Sequence, residues 1–276
     1  MILSDKTAVI YGAGGSLGGA VAKALAAAGA TVFLTGRNIA SVQITADAII
    51  ATGDKANVDR VDALDETEIK EHLQKIIAET GRIDISFNLI GYPVVQNIPL
   101  TEMSVDAFAN PVNTAMRSQF LTATAAAKIM MKQGSGVLLS LTATPGGIGY
   151  PFTGGFAPAC AAMETLSKNL ASELGIYGIR AVNIRSGGSP DSKVFADAIA
   201  AMPEEMKQVL GKMKQDTMLK ELPLIADIAN VAVFLASDLA AKITGVTIDV
   251  TSGTTAGLNY KVERSDVPTE ASTIVR

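Results

Sequence analysis

A glycine-rich string near the start of the chain has the composition of a phosphate-binding turn. It runs Tyr11-Gly12-Ala13-Gly14-Gly15-Ser16-Leu17-Gly18-Gly19, after an apolar run and before an Ala-rich segment. Glycines permit a tight turn and let backbone N–H groups approach a pyrophosphate, and the N-terminus of a following helix adds a favourable dipole. A tight turn without a ligand is the alternative. We predict dinucleotide contacts from Gly12, Gly14, Gly15, Ser16, Leu17 and Gly18.

The end of the second apolar run indicates which dinucleotide such a turn accepts. An acidic residue at this point binds the ribose hydroxyls of NAD, whereas a basic residue accommodates the phosphate of NADP. The chain has Thr35-Gly36-Arg37, so a glycine stands in place of the acid and a guanidinium follows. Because a guanidinium suits a phosphate, we predict NADP as the cofactor through Arg37, with NAD as the alternative. A surface arginine that caps the next helix is the interpretation without a ligand.

Composition and charge exclude several classes of protein. Of the 276 residues, 48% are hydrophobic and 18% are charged, which predicts a large buried core. The net charge of −4, without a Lys/Arg cluster, predicts no nucleic-acid partner. There is no apolar run of about 18 residues and no signal-peptide pattern, so we expect neither a membrane span nor secretion. The single cysteine, Cys160, cannot form an internal disulfide, which fits a cytoplasmic location.

Short β-branched runs alternate with Ala-rich segments along most of the chain. The runs predict strands at 7–11, 31–35, 57–61, 83–89, 136–141, 181–184 and 247–250. The segments between them predict helices near 16–28, 39–51, 66–80, 104–132, 156–174 and 225–237. Repeated strand–helix units with right-handed crossovers predict an α/β fold, a doubly wound Rossmann-like parallel sheet of about seven strands with helices on both faces.

The predicted domain organisation is simple. No Pro/Gly/Ser-rich linker divides the chain, so we expect one domain over residues 1–259. The segment 189–222, inserted between the sixth and seventh strands, is predicted to be helical and to form a substrate lid. Its four methionines favour an apolar small-molecule ligand. The polar, aperiodic residues 260–276 are expected to form a loose tail or an inter-subunit arm.

These motifs together resemble the short-chain dehydrogenase/reductase family over roughly residues 6–257. Gly12 and Gly18 match the first and last glycines of its Thr-Gly-x-x-x-Gly-x-Gly pattern, with Tyr11 at the threonine and Ser16 at the middle glycine. The remaining matches are Asp62-Ala63-Leu64-Asp65, Asn88-Leu89-Ile90-Gly91, Phe234-Leu235-Ala236-Ser237-Asp238 and Ile243-Thr244-Gly245. The resemblance implies further cofactor contacts from Asp62, Ala63, Asn88, Ile90 and Gly91.

The resemblance also implies where catalytic side chains belong, and this chain lacks them there. The family uses a serine, a tyrosine and a lysine for carbonyl reduction, supported by an asparagine on the preceding long helix. The flanking residues place the serine at Ala143, the tyrosine at Phe156, the lysine at Cys160 and the asparagine at Ala115. The 13 residues that separate Ala143 from Phe156 equal the family spacing. Without these groups, ordinary ketone–alcohol interconversion is not expected.

Replacement chemistry has little support in the sequence. Tyr150 is a weak candidate for a displaced acid, and an aromatic pocket residue is the simpler interpretation. Cys160 lies near a predicted helix N-terminus, where a thiol pKa can fall, but a small buried hydrophobe is favoured. The only histidine, His72, and Lys168 are predicted to lie at the surface. No spacing of Cys, His, Asp or Glu predicts a metal site.

Three functions stay open at this level. The first is an NADP-dependent reductase acting on an already polarised acceptor, such as a conjugated enone or an iminium. The second is a catalytically silent nucleotide-binding subunit, which the missing side chains favour. The third is a non-redox lyase or isomerase that uses the same pocket. The resemblance further implies a homodimer or homotetramer, formed through the helices near 104–132 and 156–174.

Overall fold

A seven-stranded, entirely parallel sheet forms the centre of the molecule. The structure, a computed structural model, describes residues 1–256; the predicted tail 260–276 lies outside them. The strands are β1 (Thr7–Tyr11), β2 (Thr31–Gly36), β3 (Ala56–Arg60), β4 (Ile85–Asn88), β5 (Gly136–Ala143), β6 (Ile179–Ser186) and β7 (Thr247–Val250). Their order in the sheet is β3-β2-β1-β4-β5-β6-β7. The predicted doubly wound sheet is therefore confirmed, and its order reverses between β1 and β4, where such folds bind ligands.

Helices cover both faces of this sheet. They are α1 (Ser16–Ala27), α2 (Ile39–Ile50), α3 (Glu66–Thr80), α4 (Val105–Gln133), α5 (Phe156–Leu174), α6 (Lys193–Ala201), α7 (Pro203–Asp216) and α8 (Ile225–Ala236). Helices α1, α2 and α8 pack together on one face, and α3, α4 and α5 pack on the other. None of the helices within residues 1–256 is both long and apolar enough to cross a bilayer.

Local sequence explains where the helices beside the ligand edge begin and end. Asn38 accepts hydrogen bonds from the backbone of Ala40 and Ser41, which fixes the start of α2 directly after β2. Asp65 caps α3 in the same way. Gly81 and Gly134 adopt the left-handed conformation that ends α3 and α4. These caps determine where the loops at both ends of the sheet begin and end.

The central strands are buried, whereas the edge strands β3 and β7 are only partly buried. All residues of β1 and β4 are buried, whereas β3 is only partly buried because it has a neighbour on one side alone. Strands β5 and β6 extend two residues further than their apolar runs predicted, to Ala143 and Ser186. The extra residues are held by ladder hydrogen bonds between these two strands. The longer β5 places Ala143 at the last position of the strand.

One prediction about the surface is wrong. His72 is only 5% exposed and lies on the inner face of α3 with Ile69 and Leu73. Residues 69, 72, 73 and 76 share one helical face because they are three, four and seven positions apart. The histidine therefore belongs to the core-facing stripe. Lys168 is exposed on α5, as predicted.

Candidate functional site

The glycine-rich turn connects β1 to α1 at the point where the sheet order reverses. Gly12 has φ of 79°, and a Cβ there would lie 2.7 Å from the carbonyl oxygen of Leu89, so only glycine fits. Gly18 lies against the Gly12 carbonyl, which lets α1 begin close to the turn. Gly15 and Ser16 are exposed at the helix N-terminus. The turn thus presents free backbone N–H groups and a helix dipole to one edge of the sheet.

A cavity of about 600 Å³ extends from this turn across the ends of β2, β3 and β4. Its volume is that of a small-molecule or cofactor site. The predicted cofactor residues that line it are Gly12, Gly14, Gly15, Arg37, Asp62, Ala63, Ile90 and Gly91. The structure therefore brings together residues that lie as far as 79 positions apart in the chain.

The other four predicted cofactor residues lie around this cavity without lining it. The Ser16 hydroxyl accepts a hydrogen bond from the backbone N–H of Lys193 at 3.2 Å, so the turn touches the start of α6. Leu17 packs against the core and Gly18 is buried in the turn. Asn88 is buried and accepts a hydrogen bond from the Ile90 N–H at 3.1 Å. These residues support the cavity wall.

The acidic residue of the cavity is held in a fixed position. The Asp62 N–H donates to Glu68 Oε2 at 2.7 Å, and the Asp62 side chain accepts from the Leu64 N–H at 3.0 Å. The Arg117 Nε donates to the Leu64 carbonyl at 3.2 Å, which ties this loop to α4. One carboxylate oxygen of Asp62 remains available to the cavity.

The four positions assigned to the missing catalytic side chains lie in one apolar cluster. Buried Ala115 on α4 and buried Cys160 on α5 belong to it, and partly buried Ala143 and Phe156 pack against it. The structure thus places them side by side at the end of β5, although α4 and α5 are separate helices. None of the four side chains carries a cation or a hydroxyl. At these four positions the site has no conventional acid or base.

Tyr92 joins the same cluster and was not identified from the sequence. It follows Gly91 directly, lines the large cavity, and packs its ring against Phe156 with centroids 6.4 Å apart. Strands β4 and β5 pair with Asn88 opposite Ser140, so the residues after both strands emerge at the same edge. That pairing was the available signal: a tyrosine just beyond β4 must lie near the end of β5.

Burial controls the ionisation of this cluster. The pKa of the Cys160 thiol is raised to about 11, chiefly because the side chain is buried, so the thiol stays neutral at physiological pH. The favoured interpretation of Cys160 as a small buried residue is confirmed, and a reactive thiolate is not supported. Burial also raises the pKa of the Tyr92 phenol, and the neighbouring Cys160 raises it further. Both groups therefore keep their protons.

The remaining polar groups near Ala143 are engaged elsewhere. The Thr142 hydroxyl donates to Glu164 Oε1 at 2.9 Å, and the Thr144 hydroxyl donates to the Ser186 carbonyl at 3.2 Å. Tyr150 is 42% exposed and does not belong to the cluster. Asn113, two residues before Ala115, is exposed. Throughout residues 1–256, no three His, Cys, Asp or Glu side chains are grouped to hold a metal ion.

The geometry fits a nicotinamide dinucleotide. The turn offers backbone N–H groups to a pyrophosphate, and Asp62 and Arg37 lie in the cavity on the side of β2 and β3. A Cβ at Gly14 would collide with the Ser41 hydroxyl, so a glycine at this position lets the turn pack closely against α2. The apolar cluster lies at the opposite end, beyond Gly91.

Comparisons with known proteins agree with this geometry. Residues 12–255 match the family model described as enoyl-(acyl carrier protein) reductase. The chain is 30% identical over 257 residues to levodione reductase of Leifsonia aquatica, covering 92% of this chain and 95% of that protein. It is 30% identical over 258 residues to the 3-oxoacyl-(acyl-carrier-protein) reductase FabG of Escherichia coli, covering 92% and 98%.

A solved structure gives the same result in three dimensions. The crystal structure of levodione reductase superposes with a TM-score of 0.86 at 27% identity, covering 93% of this chain and all of that one. A family match over nearly the whole chain, two relatives of similar length and this superposition point the same way. The chain belongs to the short-chain dehydrogenase/reductase family, whose members are oxidoreductases that use a nicotinamide cofactor.

Proposed function

We propose that this protein is an NADP-dependent reductase that transfers hydride to an acceptor that is already polarised, such as a conjugated carbonyl compound. One observation carries the proposal: an open cavity leads from Arg37 to Tyr92 and ends where Ala143, Phe156 and Cys160 stand in place of the family's serine, tyrosine and lysine. The cofactor supplies the hydride. Such a site can still serve an acceptor whose conjugated carbonyl group takes up the negative charge that hydride addition produces.

The end of β2 supports NADP over NAD. Arg37 is exposed beside the cavity and forms no ion pair with any residue in 1–256. At Gly36, where enzymes that use NAD carry an acid, a Cβ would lie 2.9 Å from Cγ2 of Val42. An acidic side chain there would have to displace Val42, whereas a phosphate next to Arg37 gains a charge-assisted hydrogen bond.

The predicted cofactor residues have distinct roles in this proposal. Gly12, Gly14, Gly15, Ser16, Leu17 and Gly18 form the turn that holds the pyrophosphate. Asp62 and Ala63 contact the adenine, and Asn88 keeps Ile90 and Gly91 in position along the dinucleotide. The segment 189–222, which contains α6 and α7, covers the site as a lid. Its contact with the turn through Ser16 supports that role.

The acceptor is apolar and conjugated in this proposal. The partly buried side chains of Ala143 and Phe156 offer it only hydrocarbon surface. Hydride addition at the β-carbon moves the electron pair of the C=C bond onto the carbonyl oxygen, and water supplies the proton that the α-carbon finally takes. The family model that matches the chain is described as an enoyl reductase, a reaction of this kind.

Two measurements on the purified protein test the proposal. Calorimetric titration with NADPH and NADH is expected to show binding of both, with NADPH bound at least tenfold more tightly. NADPH oxidation, followed by its absorbance, is expected with a conjugated enone and not with the corresponding saturated ketone. Equal rates on both acceptors, or no binding of either cofactor, would overturn the proposal.

A catalytically silent nucleotide-binding subunit is the second candidate. The tight packing of the cluster favours it, since Ala115 and Cys160 are each only 1% exposed. If the protein is such a subunit, NADPH is expected to bind as tightly as it would to the reductase, but no enone, imine or ketone accelerates its oxidation. The two candidates therefore separate on turnover and share the binding result.

We also propose that the protein forms a homodimer or homotetramer through the outer faces of α4 and α5. Phe120 on α4 is 54% exposed, a large aromatic surface for an isolated chain. The mass of the protein in solution, measured by light scattering, is expected to be a multiple of the chain mass. Substitution Phe120→Arg is expected to reduce it to that of one chain.

A further inference from the structure

The Tyr92 hydroxyl is the one acidic hydrogen-bond donor that the described residues bring to the apolar cluster without a strong partner. Tyr92 lies between the cavity and the cluster, because it lines the first and packs against the second. The hydroxyls that flank Ala143 are not available, since Thr142 donates to Glu164 and Thr144 donates to the Ser186 carbonyl. Tyr92 is thus placed where a reacting carbonyl needs a donor.

The cluster shows which groups surround Tyr92. Cys160 is buried in it, and Ala143 and Phe156 pack against it together with Tyr92. The phenol and the thiol are also near enough to influence each other's pKa. Tyr92 therefore lies in the same cluster as residues 143 and 156. That is the region in which the family places its serine and its tyrosine.

We propose, on the basis of the function proposed above, that Tyr92 is a catalytic residue that donates a hydrogen bond to the carbonyl oxygen of the acceptor. It takes over the place that Ala143 and Phe156 leave without a donor. During hydride addition the electron pair of the C=C bond moves to this oxygen, and the Tyr92 O–H stabilises the enolate that forms. The phenol keeps its proton, so water protonates the α-carbon and no base is consumed.

The surroundings of Tyr92 agree with a donor that does not ionise. Burial raises the pKa of the phenol, which disfavours the phenolate but leaves the O–H free to donate. Its present neighbour, the Cys160 thiol, is a weak acceptor, so exchange for an oxygen that gains negative charge is favourable. A single donor to such an oxygen accelerates reactions by about 10²–10³-fold in other enzymes.

A chromophoric acceptor tests this proposal without turnover. The probe is 4-(dimethylamino)cinnamaldehyde, a conjugated aldehyde whose absorbance moves to longer wavelength when its carbonyl accepts a hydrogen bond. It is added to the full-length protein saturated with NADP, which cannot donate a hydride. The wild type is expected to bind the probe with a red shift. Tyr92→Phe is expected to lose the shift and to bind about tenfold more weakly, because one hydrogen bond is missing.

Two matched variants serve as comparisons. Tyr177→Phe removes a hydroxyl from a partly exposed tyrosine outside the cluster, and the red shift is expected to persist. Tyr150→Phe examines the displaced acid considered from the sequence, and the shift is expected to persist there too. With NADPH and an enone, Tyr92→Phe is expected to lower kcat about 100-fold with a smaller change in the KM for NADPH.

The outcomes separate this proposal from the function on which it rests. A red shift that survives in Tyr92→Phe, or that disappears in Tyr150→Phe instead, overturns the role of Tyr92 even if the wild type reduces enones. A wild-type protein that does not bind the probe, or binds it without a shift, also overturns that role. A red shift that depends on Tyr92 supports it, and NADPH oxidation then decides separately whether hydride transfer occurs.

Discussion

Glu164 on α5 and Arg185 on β6 form a two-point ion pair in the interior: Oε1 accepts from Nε at 2.9 Å and Oε2 from Nη2 at 2.5 Å. Their side chains are 8% and 12% exposed. Arg185 also donates to Asp249 on β7 at 2.8 Å. The loop after β5 rests on this pair, because a Cβ at Gly147 would lie 2.5 Å from the guanidinium carbon. The pair therefore joins α5, β6 and β7 beneath the loop that follows Ala143.

Removing one partner of this pair is expected to be costly. Arg185→Met leaves the Glu164 carboxylate buried without its cation, and we expect a loss of about 3–5 kcal/mol in the free energy of unfolding. The double variant Glu164→Leu with Arg185→Met is expected to recover most of this loss. Denaturant unfolding measures both. Lys70→Ala is the control, since it breaks the exposed Lys70–Glu66 pair and is expected to cost less than about 1 kcal/mol. If Arg185→Met unfolds at the same denaturant concentration as the wild type, the ion pair does not stabilise the fold as proposed.

A second prediction concerns Tyr11, at the end of β1. Its side chain is fully buried, and its hydroxyl has no hydrogen-bond partner among residues 1–256. An unsatisfied buried hydroxyl is destabilising, so Tyr11→Phe is expected to raise the free energy of unfolding by about 1 kcal/mol. Thermal or denaturant unfolding measures the change, and Tyr177→Phe is expected to leave stability unaltered. A loss of stability in Tyr11→Phe would show that the hydroxyl has a partner, such as a buried water.

The fold could be predicted because its signals are local and repeated. Strand β1 is buried on both faces, so most of it appears as a continuous apolar run. The predicted ends of β5 and β6 were less accurate. These two strands stay paired as far as Ala143 and Ser186, past the end of their apolar runs. Apolar periodicity does not report such pairing. The pair Glu164–Arg185 was missed for a related reason, since only the tertiary structure brings α5 onto β6.

The site divides in the same way. The spacing from Ala143 to Phe156 predicted two catalytic positions, and in the structure these two residues lie with Ala115 and Cys160 in one cluster. Tyr92 had no motif spacing to identify it, because its place depends on the pairing of β4 with β5. The assignment of the positions that lack catalytic side chains stays a prediction from the sequence, and Tyr92, which lies beside them, was not identified.

Stability is expected to depend on pH through His72. Burial lowers the pKa of His72 to about 4, against about 6.5 in the unfolded chain, although Asp59 opposes this shift. Between about pH 4 and 6.5, His72 is protonated in the unfolded chain and neutral in the folded protein. Stability is therefore present above pH 6.5 and falls as the pH decreases from about 6.5 to 4, by at most about 1.4 kcal/mol per pH unit from this group. Unfolding measured across this range is expected to show a shallower dependence in His72→Leu. Identical slopes would contradict the role of His72, whatever the carboxylates contribute to both proteins.

Cofactor preference is expected to depend on Arg37. Arg37→Ala removes the guanidinium from the cavity, and NADPH affinity should fall about 10–100-fold because a charge-assisted hydrogen bond contributes about 1.5–3 kcal/mol. NADH lacks the phosphate, so its affinity should remain within about twofold of wild type. Calorimetric titration measures both values. Lys168→Ala, which removes an exposed cation on α5, is the control and should change neither. An equal loss for both cofactors would place Arg37 outside phosphate recognition.

Restoring the missing side chains is expected to create the activity that the cluster now lacks. The triple variant Ala143→Ser, Phe156→Tyr and Cys160→Lys supplies a donor, a proton source and a cation at three adjoining positions. General acid–base catalysis is worth about 10²–10⁴-fold, so NADPH-dependent reduction of a simple ketone should rise at least about 100-fold above the wild-type background. Phe156→Tyr alone should gain little, because without the lysine nothing lowers the pKa of the new tyrosine. Unfolding and NADPH titration must first show that the triple variant folds and binds. If it does both and still reduces no ketone, these three residues do not occupy the catalytic positions of the family, and their lack of a serine, a tyrosine and a lysine would no longer explain the choice of acceptor.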